Sequence, residues 1–271
     1  MAISETGIEN PRGRGREKRV AAMRWLNRWG YATPQTLSEA LGLDRTAGPR
    51  LVAQLVARDL AREVAAGGNW GYWRYGVNAE TGRRERQGPY LVMLTEVGKT
   101  TAVATDTTLG AAWERQVSGI QSIRHNLICQ RFTAQLLTQR GFTDYQPEPS
   151  TRAASQDGVK QPDVVAISSK GARVAIEIEL TPKSVHTGAL ERALQAVAMG
   201  VSHKRFDQLI YVFGSEHFRD SYKRVWERGH LNAWEKRGSR WEQTGERWTI
   251  PAEVIARVGF IQSDVLLGDL S

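Results

Sequence analysis

Cysteine is nearly absent. Cys129 is the only one among 271 residues, which excludes a disulfide within the chain and any zinc site built on several thiolates. It sits in an apolar, helix-like stretch and reads as a buried, inert thiol. Long apolar runs are missing as well. No segment approaches the roughly 20 apolar residues that span a bilayer, and the first residues are polar rather than signal-like. The chain is therefore expected to be soluble and cytoplasmic, with no membrane partner. Acidic residues are the minority charge: 29 Asp and Glu face 37 Lys and Arg, giving +8 and a pI near 9.8. Such an excess draws polyanions, nucleic acid above all; the plain alternative is a merely soluble basic protein. There is no internal repeat, and the length suits one large domain or two small ones.

Residues 1 to 19, MAISETGIENPRGRGREKR, cluster Arg, Gly and Pro without a periodic apolar face. They read as a flexible basic arm, either a DNA-tracking tail or a disordered leader. An ordered series follows over residues 20 to 106. VAAMRWLNRWG is an amphipathic helix ending at Gly30. TPQTLSEALGL has a capping Thr33, Pro34 in the first turn and a glycine near the end, the marks of a short helix. In PRLVAQLVARDLAREV, Val52, Leu55, Val56 and Leu60 share one face, while Arg50, Gln54, Arg58 and Arg62 recur every four residues. Two apolar runs around an Arg-rich connector then read as a β-hairpin.

Helix, helix, turn, helix and hairpin is the order of a winged helix. The closing LVMLTEVGKTTA resembles the strand-then-helix "LTxxG" ending of winged-helix DNA-binding proteins. That resemblance implies a recognition helix over residues 44 to 63, with Arg45, Thr46, Arg50, Gln54 and Arg58 facing double-stranded DNA. Arg83, Arg84 and Arg86 would lie on the wing. Arg and Gln can pair with base edges in the major groove, and arginines at a wing suit phosphates or a narrow minor groove. Winged-helix proteins often bind palindromes as dimers, so a homodimer is left open.

From residue 107 to 230 the pattern changes. TTLGAAWERQVSGIQSIRHNLICQRFTAQLLTQRG supports one long or two consecutive helices, with Trp113, Val117, Ile120, Ile123, Leu127, Ile128, Phe132 and Leu136 as the buried stripe. FTDYQPEPS reads as an edge strand. PDVVAIS and ARVAIEIEL read as two strands joined by SKG. TPKSVHTGALERALQAVAMG reads as a helix capped near Thr181, FDQLIYVFG as a buried strand, and SEHFRDSYKRVWERG as a further helix. Residues 231 to 271 place Trp234, Trp241 and Trp248 at seven-residue intervals, with Gly238 and Gly245 favouring strands and turns. These tryptophans are expected to cover a sheet edge, in an extension packed on the second domain; stacking on unpaired bases is the alternative.

Three carboxylates stand in the stretch KQPDVVAISSKGARVAIEIELTPKS. On a strand alternate residues share a face, so Glu177 and Glu179 project together, with Val174, Ile176, Ile178 and Leu180 expected toward the core. Asp163 opens the neighbouring strand beside Glu177. Oxygen ligands on rigid strands suit Mg²⁺, and a metal held there can activate water and steady charge on a phosphodiester. Pro162, Asp163 and Glu177, within the order α–β–β–β–α–β, resemble the PD-(D/E)xK nuclease superfamily. The expected fold class is therefore α+β, a winged helix-turn-helix domain followed by a PD-(D/E)xK-like αβββαβ domain. The resemblance implies Mg²⁺ or Mn²⁺ on Asp163 and Glu177, with Glu179, Lys183 and His125 as further catalytic candidates.

One position departs from that pattern. The superfamily's lysine, two places after the second acid, is Glu179 here. Lys183 could supply the missing amine from the start of the following helix, and Lys160 is the weaker substitute. His125, in IRHNLICQRF, competes with Glu114 for the place of a helical acid near the metal, against a plain structural histidine. Gln195 could reach metal-bound water or DNA, or be an ordinary solvated residue.

A winged helix, then "RHNL", "PD", "ExE" and a nearby lysine resemble the replication-relaxation proteins of plasmids and integrative or conjugative elements. The resemblance implies a double-stranded-DNA-binding accessory role in plasmid replication or conjugative mobilisation, beside relaxase or replication proteins, with a nuclease-like second domain that need not be active. An active Mg²⁺-dependent DNA endonuclease is the alternative, and a winged-helix transcriptional regulator the second. Glu179 in place of lysine favours binding over cleavage.

Overall fold

The structure, a computed structural model, describes residues 11–65, 74–77, 84–87, 90–106, 120–148, 161–184, 188–237 and 240–267. The fold is mixed α+β, in two compact units: Met1–Ile123 with Leu270–Ser271, and Arg124–Asp269. No helix among the described residues is long and apolar enough to cross a membrane.

The first unit begins with α1 (Pro11–Trp29), which buries Met23, Trp25, Leu26 and Trp29. Residues 11 to 19, expected as part of a flexible arm, are thus helical and continuous with the amphipathic segment that follows. A bridge pairs Ala32 with Val92, and α2 (Pro34–Ala40) then starts with Thr33 accepting from the Thr36 backbone N–H at 3.1 Å. Helix α3 (Ala47–Val56) is capped from Asp44, whose carboxylate accepts from the backbone N–H groups of Thr46 and Ala47 at 2.9 and 3.0 Å. A Cβ on Gly48 would stand 2.1 Å from the Pro34 carbonyl oxygen, so only glycine lets α2 and α3 cross this closely.

Helix α3 is shorter than the 44-to-63 stretch expected of it. Asp59 turns the chain at φ 54, the Leu60 N–H closes back on the Leu55 carbonyl at 2.9 Å, and β1 (Ala61–Ala65) begins. Leu51, Val52 and Leu55 are buried as the periodicity predicts, but Val56 is 42% exposed because the helix ends there. Strand β1 pairs antiparallel with β4 (Tyr90–Leu94), and β2 (Arg74–Val77) pairs with β3 (Arg84–Gln87). Thr95 caps α4 (Glu96–Thr105) by accepting from the Gly98 N–H at 3.0 Å. A Cβ on Gly98 would meet the Leu60 carbonyl oxygen at 1.8 Å, the physical reason for glycine in the LTxxG stretch.

The second unit holds most of α5 (Ile120–Gln139) and a five-stranded sheet ordered β11-β8-β7-β6-β5. Strands β5 (Phe142–Pro147), β6 (Val164–Ser168) and β7 (Arg173–Glu179) run antiparallel as a meander. The chain then crosses through α6 (Ala189–Ser202) to β8 (Gln208–Phe213), parallel to β7, as parallel pairing requires a long connection. Helix α6 starts eight residues after Thr181, expected near its cap. Gly188 at φ 66 is the N-cap instead, and a Cβ there would meet the Trp234 ring at 1.8 Å.

After α7 (Glu216–Trp226), β9 (His230–Arg237) and β10 (Arg240–Thr249) form a hairpin; α8 (Ala252–Ile255), β11 (Val258–Gln262) and a 3-10 turn, Asp264–Leu267, follow. Strand β11 joins β8 in parallel. The C-terminal segment, expected only to pack on the second domain, therefore supplies a strand of its sheet. One core cluster gathers Ala175, Leu194, Leu209, Tyr211, Phe213, Tyr222, Trp226 and Leu231, with Trp248 and Phe260 packed against it.

Candidate functional site

Helix α3 is two-sided. Leu51, Val52 and Leu55 are buried while Arg50 and Gln54 are exposed, as are Arg45 and Thr46 just before the helix. Arg19 on α1 donates to the Gln54 carboxamide oxygen at 3.4 Å. Arg58 lies past the helix end and donates to the Gln54 carbonyl at 3.2 Å, so it also closes the last turn. Arg62 belongs to β1, which breaks the four-residue row expected of a longer helix. Arg84 and Arg86 fall in β3, where their backbone partners are Val77 and Tyr75; Arg83 lies outside the described residues.

Asp163 stands immediately before β6. The register Val164 to Ile176 places it opposite Glu177, as expected of the hairpin. Its Oδ2 accepts from the Ile178 backbone N–H at 2.8 Å and lies 3.5 Å from His125 Nε2. His125 Nε2 is also 3.0 Å from the Ile178 carbonyl oxygen. A carbonyl only accepts, so Nε2 carries a proton. Nδ1 then faces Cys129 Sγ at 3.6 Å, one helical turn along α5. Single ligand atoms of His125, Cys129 and Asp163 all lie within 4.8 Å of one another.

The electrostatics of this cluster follow from its burial. The imidazole of His125 is held above its ordinary value by the field of Cys129 and by the hydrogen bond and charge of Asp163, against an opposing burial effect. Burial pushes the Cys129 thiol up, and the His125 ring beside it acts in the opposite direction.

Glu177 and Glu179 are 1% and 6% exposed. Their register partners on β8 are Tyr211 and Phe213, so they point into the aromatic side of the core and not away from it. This corrects the expectation that only Val174, Ile176, Ile178 and Leu180 face a core. All of Val174 to Glu179 is buried, because the strand is covered on both faces. Lys183 Nζ is paired with Glu179 Oε1, and the Lys183 N–H donates to Tyr222 Oη at 3.4 Å. Lys183 does not open a helix, since α6 begins only at Ala189. Burial, then the charges of Glu177 and Glu179, pushes Tyr211 up; burial, then Glu179, does so for Tyr222. Both remain neutral phenols at physiological pH.

The structure thus brings Asp163 together with His125, and Glu179 with Lys183. Cys129, set aside as inert from its apolar surroundings, belongs with the first pair; its position four residues after His125 was the available signal. Gln195 is half-buried on α6, and Lys160 and Glu114 lie outside the described residues. The donors gathered within 4.8 Å are one sulfur, one nitrogen and one oxygen, not the all-oxygen set that Mg²⁺ and Mn²⁺ prefer.

No protein-family model and no curated protein matches this chain.

Proposed function

We propose that this protein is a double-stranded-DNA-binding accessory factor of a mobile genetic element. In this reading it is of the replication-relaxation type, acting in plasmid replication or conjugative mobilisation beside relaxase or replication proteins. Its first unit is a winged helix, and its second a PD-(D/E)xK-like domain that binds without cleaving. The observation that carries the reading is α3: apolar residues hold one face in the core while Arg50 and Gln54 stand exposed on the other, in a chain of net charge +8. The bridge at Ala32 and the capped Thr95–Gly98 turn support the winged-helix assignment, and the β5-β6-β7 meander followed by α6 and parallel β8 supports the nuclease-like one.

Cleavage is the second reading, favoured by Asp163 opposite Glu177 and an amine on the same segment. There Asp163 and Glu177 would hold Mg²⁺ or Mn²⁺, and the ion would supply activation of water. Against it, Lys183 neutralises Glu179 instead of facing an open oxygen site. The deciding experiment measures duplex DNA binding by anisotropy across a salt series, beside nicking of supercoiled plasmid with Mg²⁺ or Mn²⁺. Salt-sensitive binding without nicking is expected. Metal-dependent nicking that disappears in Asp163→Ala and Glu177→Ala would establish the endonuclease instead, and no DNA binding even at low salt would end both readings.

A further inference from the structure

We infer that His125, Cys129 and Asp163 together bind one Zn²⁺ ion, which pins helix α5 to strands β6 and β7. The site is chemically distinct from an all-oxygen Mg²⁺ site, and it stands independently of whether the first unit binds DNA.

Geometry carries it first. Zinc–sulfur and zinc–nitrogen bonds of about 2.3 and 2.0–2.1 Å at a tetrahedral angle separate the two donors by about 3.6 Å. Cys129 Sγ and His125 Nδ1 are 3.6 Å apart. They reach that distance because residues four apart share a face of α5, and Asp163 closes the group from the start of β6.

Orientation is the second argument. Metal-ligating histidines commonly donate their other N–H to a carbonyl or carboxylate, which fixes the tautomer and turns the ligating nitrogen inward. His125 does so: Nε2 lies 3.0 Å from the Ile178 carbonyl oxygen, leaving Nδ1 toward the sulfur. Asp163 is steadied in turn by the Ile178 N–H at 2.8 Å.

Charge and access agree. A thiolate, a carboxylate and a neutral imidazole bring two negative charges to a divalent cation, which offsets the cost of burying it. Loading replaces the Cys129 S–H bond by S–Zn and the His125 Nδ1–H bond by N–Zn, and both protons leave to solvent. Sulfur favours Zn²⁺ over Mg²⁺. Cys129 is 1% exposed, but the His125 and Asp163 side chains are 31% and 12% exposed, so an ion can enter from their side. With no ion, the same 3.6 Å contact is a thiol–imidazole hydrogen bond.

The test uses the full chain stripped of metal, titrated with Co²⁺ as a spectroscopic stand-in and with Zn²⁺ in competition. One ion per chain and a near-ultraviolet thiolate-to-cobalt charge-transfer band are expected. The band should vanish in Cys129→Ser, with affinity falling tenfold or more in His125→Gln and Asp163→Asn. No band in the wild type, or one unchanged in Cys129→Ser, overturns the assignment. Should the variants misfold, zinc-edge absorption of the wild type decides: one sulfur neighbour at about 2.3 Å supports the site, and none rejects it. DNA affinity measured on the same samples separates the two claims, since a lost band with DNA binding intact leaves the proposed function standing, and the converse leaves the zinc site.

Discussion

Replacing Lys183 by Met should destabilise the second unit, because it strands a buried carboxylate. Glu179 is paired with Lys183, and their side chains are 8% and 33% exposed. Removing one partner of a fully buried ion pair costs roughly 3–5 kcal/mol, whereas a fully exposed pair contributes under about 1 kcal/mol. With water able to screen the one-third-exposed ammonium, the expected loss is about 2 kcal/mol. For a unit of this size that corresponds to a fall in Tm of about 4–8 °C. Glu179→Gln should cost less, since the longer lysine can turn its ammonium toward solvent. The double variant Glu179→Gln/Lys183→Met should recover most of the loss, giving a coupling of about 1–2 kcal/mol in a double-mutant cycle. Urea unfolding followed by tryptophan fluorescence reads all four proteins. If Lys183→Met stays within about 0.5 kcal/mol of wild type, or the double variant recovers nothing, Lys183 is not the counter-ion of Glu179 and the argument fails.

Three further outcomes are expected. Gly98→Ala places a Cβ 1.8 Å from the Leu60 carbonyl oxygen, so overpacking of backbone on backbone should exceed the roughly 1 kcal/mol gained in helix propensity. The net destabilisation should be at least about 2 kcal/mol in a urea titration. Asp44 is held below its ordinary value of 3.8, chiefly by the Thr46 hydroxyl and then by the backbone N–H groups of Thr46 and Ala47. A lowered folded-state value means stabilisation that is complete above the unfolded pKa and lost as pH falls through the folded one. The difference between wild type and Asp44→Ala should therefore be flat near neutrality and close below about pH 4; a difference that widens in acid contradicts this. On DNA, Arg50→Ala and Gln54→Ala should each cost about 1–3 kcal/mol and relax sequence preference. Removing Arg83, Arg84 and Arg86 together should flatten the salt dependence while leaving preference alone, and an unaltered slope would exclude phosphate contacts from these arginines.

The elements that were legible in the sequence are those whose ends are written locally. Thr33 with Pro34 announces α2, Leu94-Thr95 with Gly98 announces α4, and the apolar alternation before and after SKG announces β6 and β7. Where a boundary depends on a distant partner, local signals misled. Thr181 and Pro182 look like a helix start, yet α6 begins at Ala189, after an N-cap Gly188 whose left-handed backbone fits under Trp234 from β9. The α3 periodicity runs on in the sequence through Leu60 and Arg62, yet Asp59 turns the chain so that β1 can pair with β4. Strand β11 was missed for a related reason: its partner β8 lies across two helices and a hairpin, and parallel pairing leaves no turn signature.

The carboxylates show a different limit. Alternation sorts the residues of a strand into two sets, but it names the core set only if one face meets water. Strand β7 is buried from Val174 to Glu179, so the rule separates Glu177 and Glu179 from Ile176 and Ile178 without saying which set lies against Tyr211 and Phe213. The chemistry of each acid is then decided by whatever packs beside it. Asp163 meets His125 and Cys129 from α5, and Glu179 meets Lys183 beyond the end of its own strand. Acids on neighbouring strands thereby acquire partners from different parts of the chain. A motif that specifies only their spacing cannot distinguish a hard-metal nuclease centre from an ion pair lying near a sulfur–nitrogen–oxygen cluster. The measurement that separates them has to see the donor atoms, which is why cobalt and zinc-edge spectra say more about this site than cleavage alone.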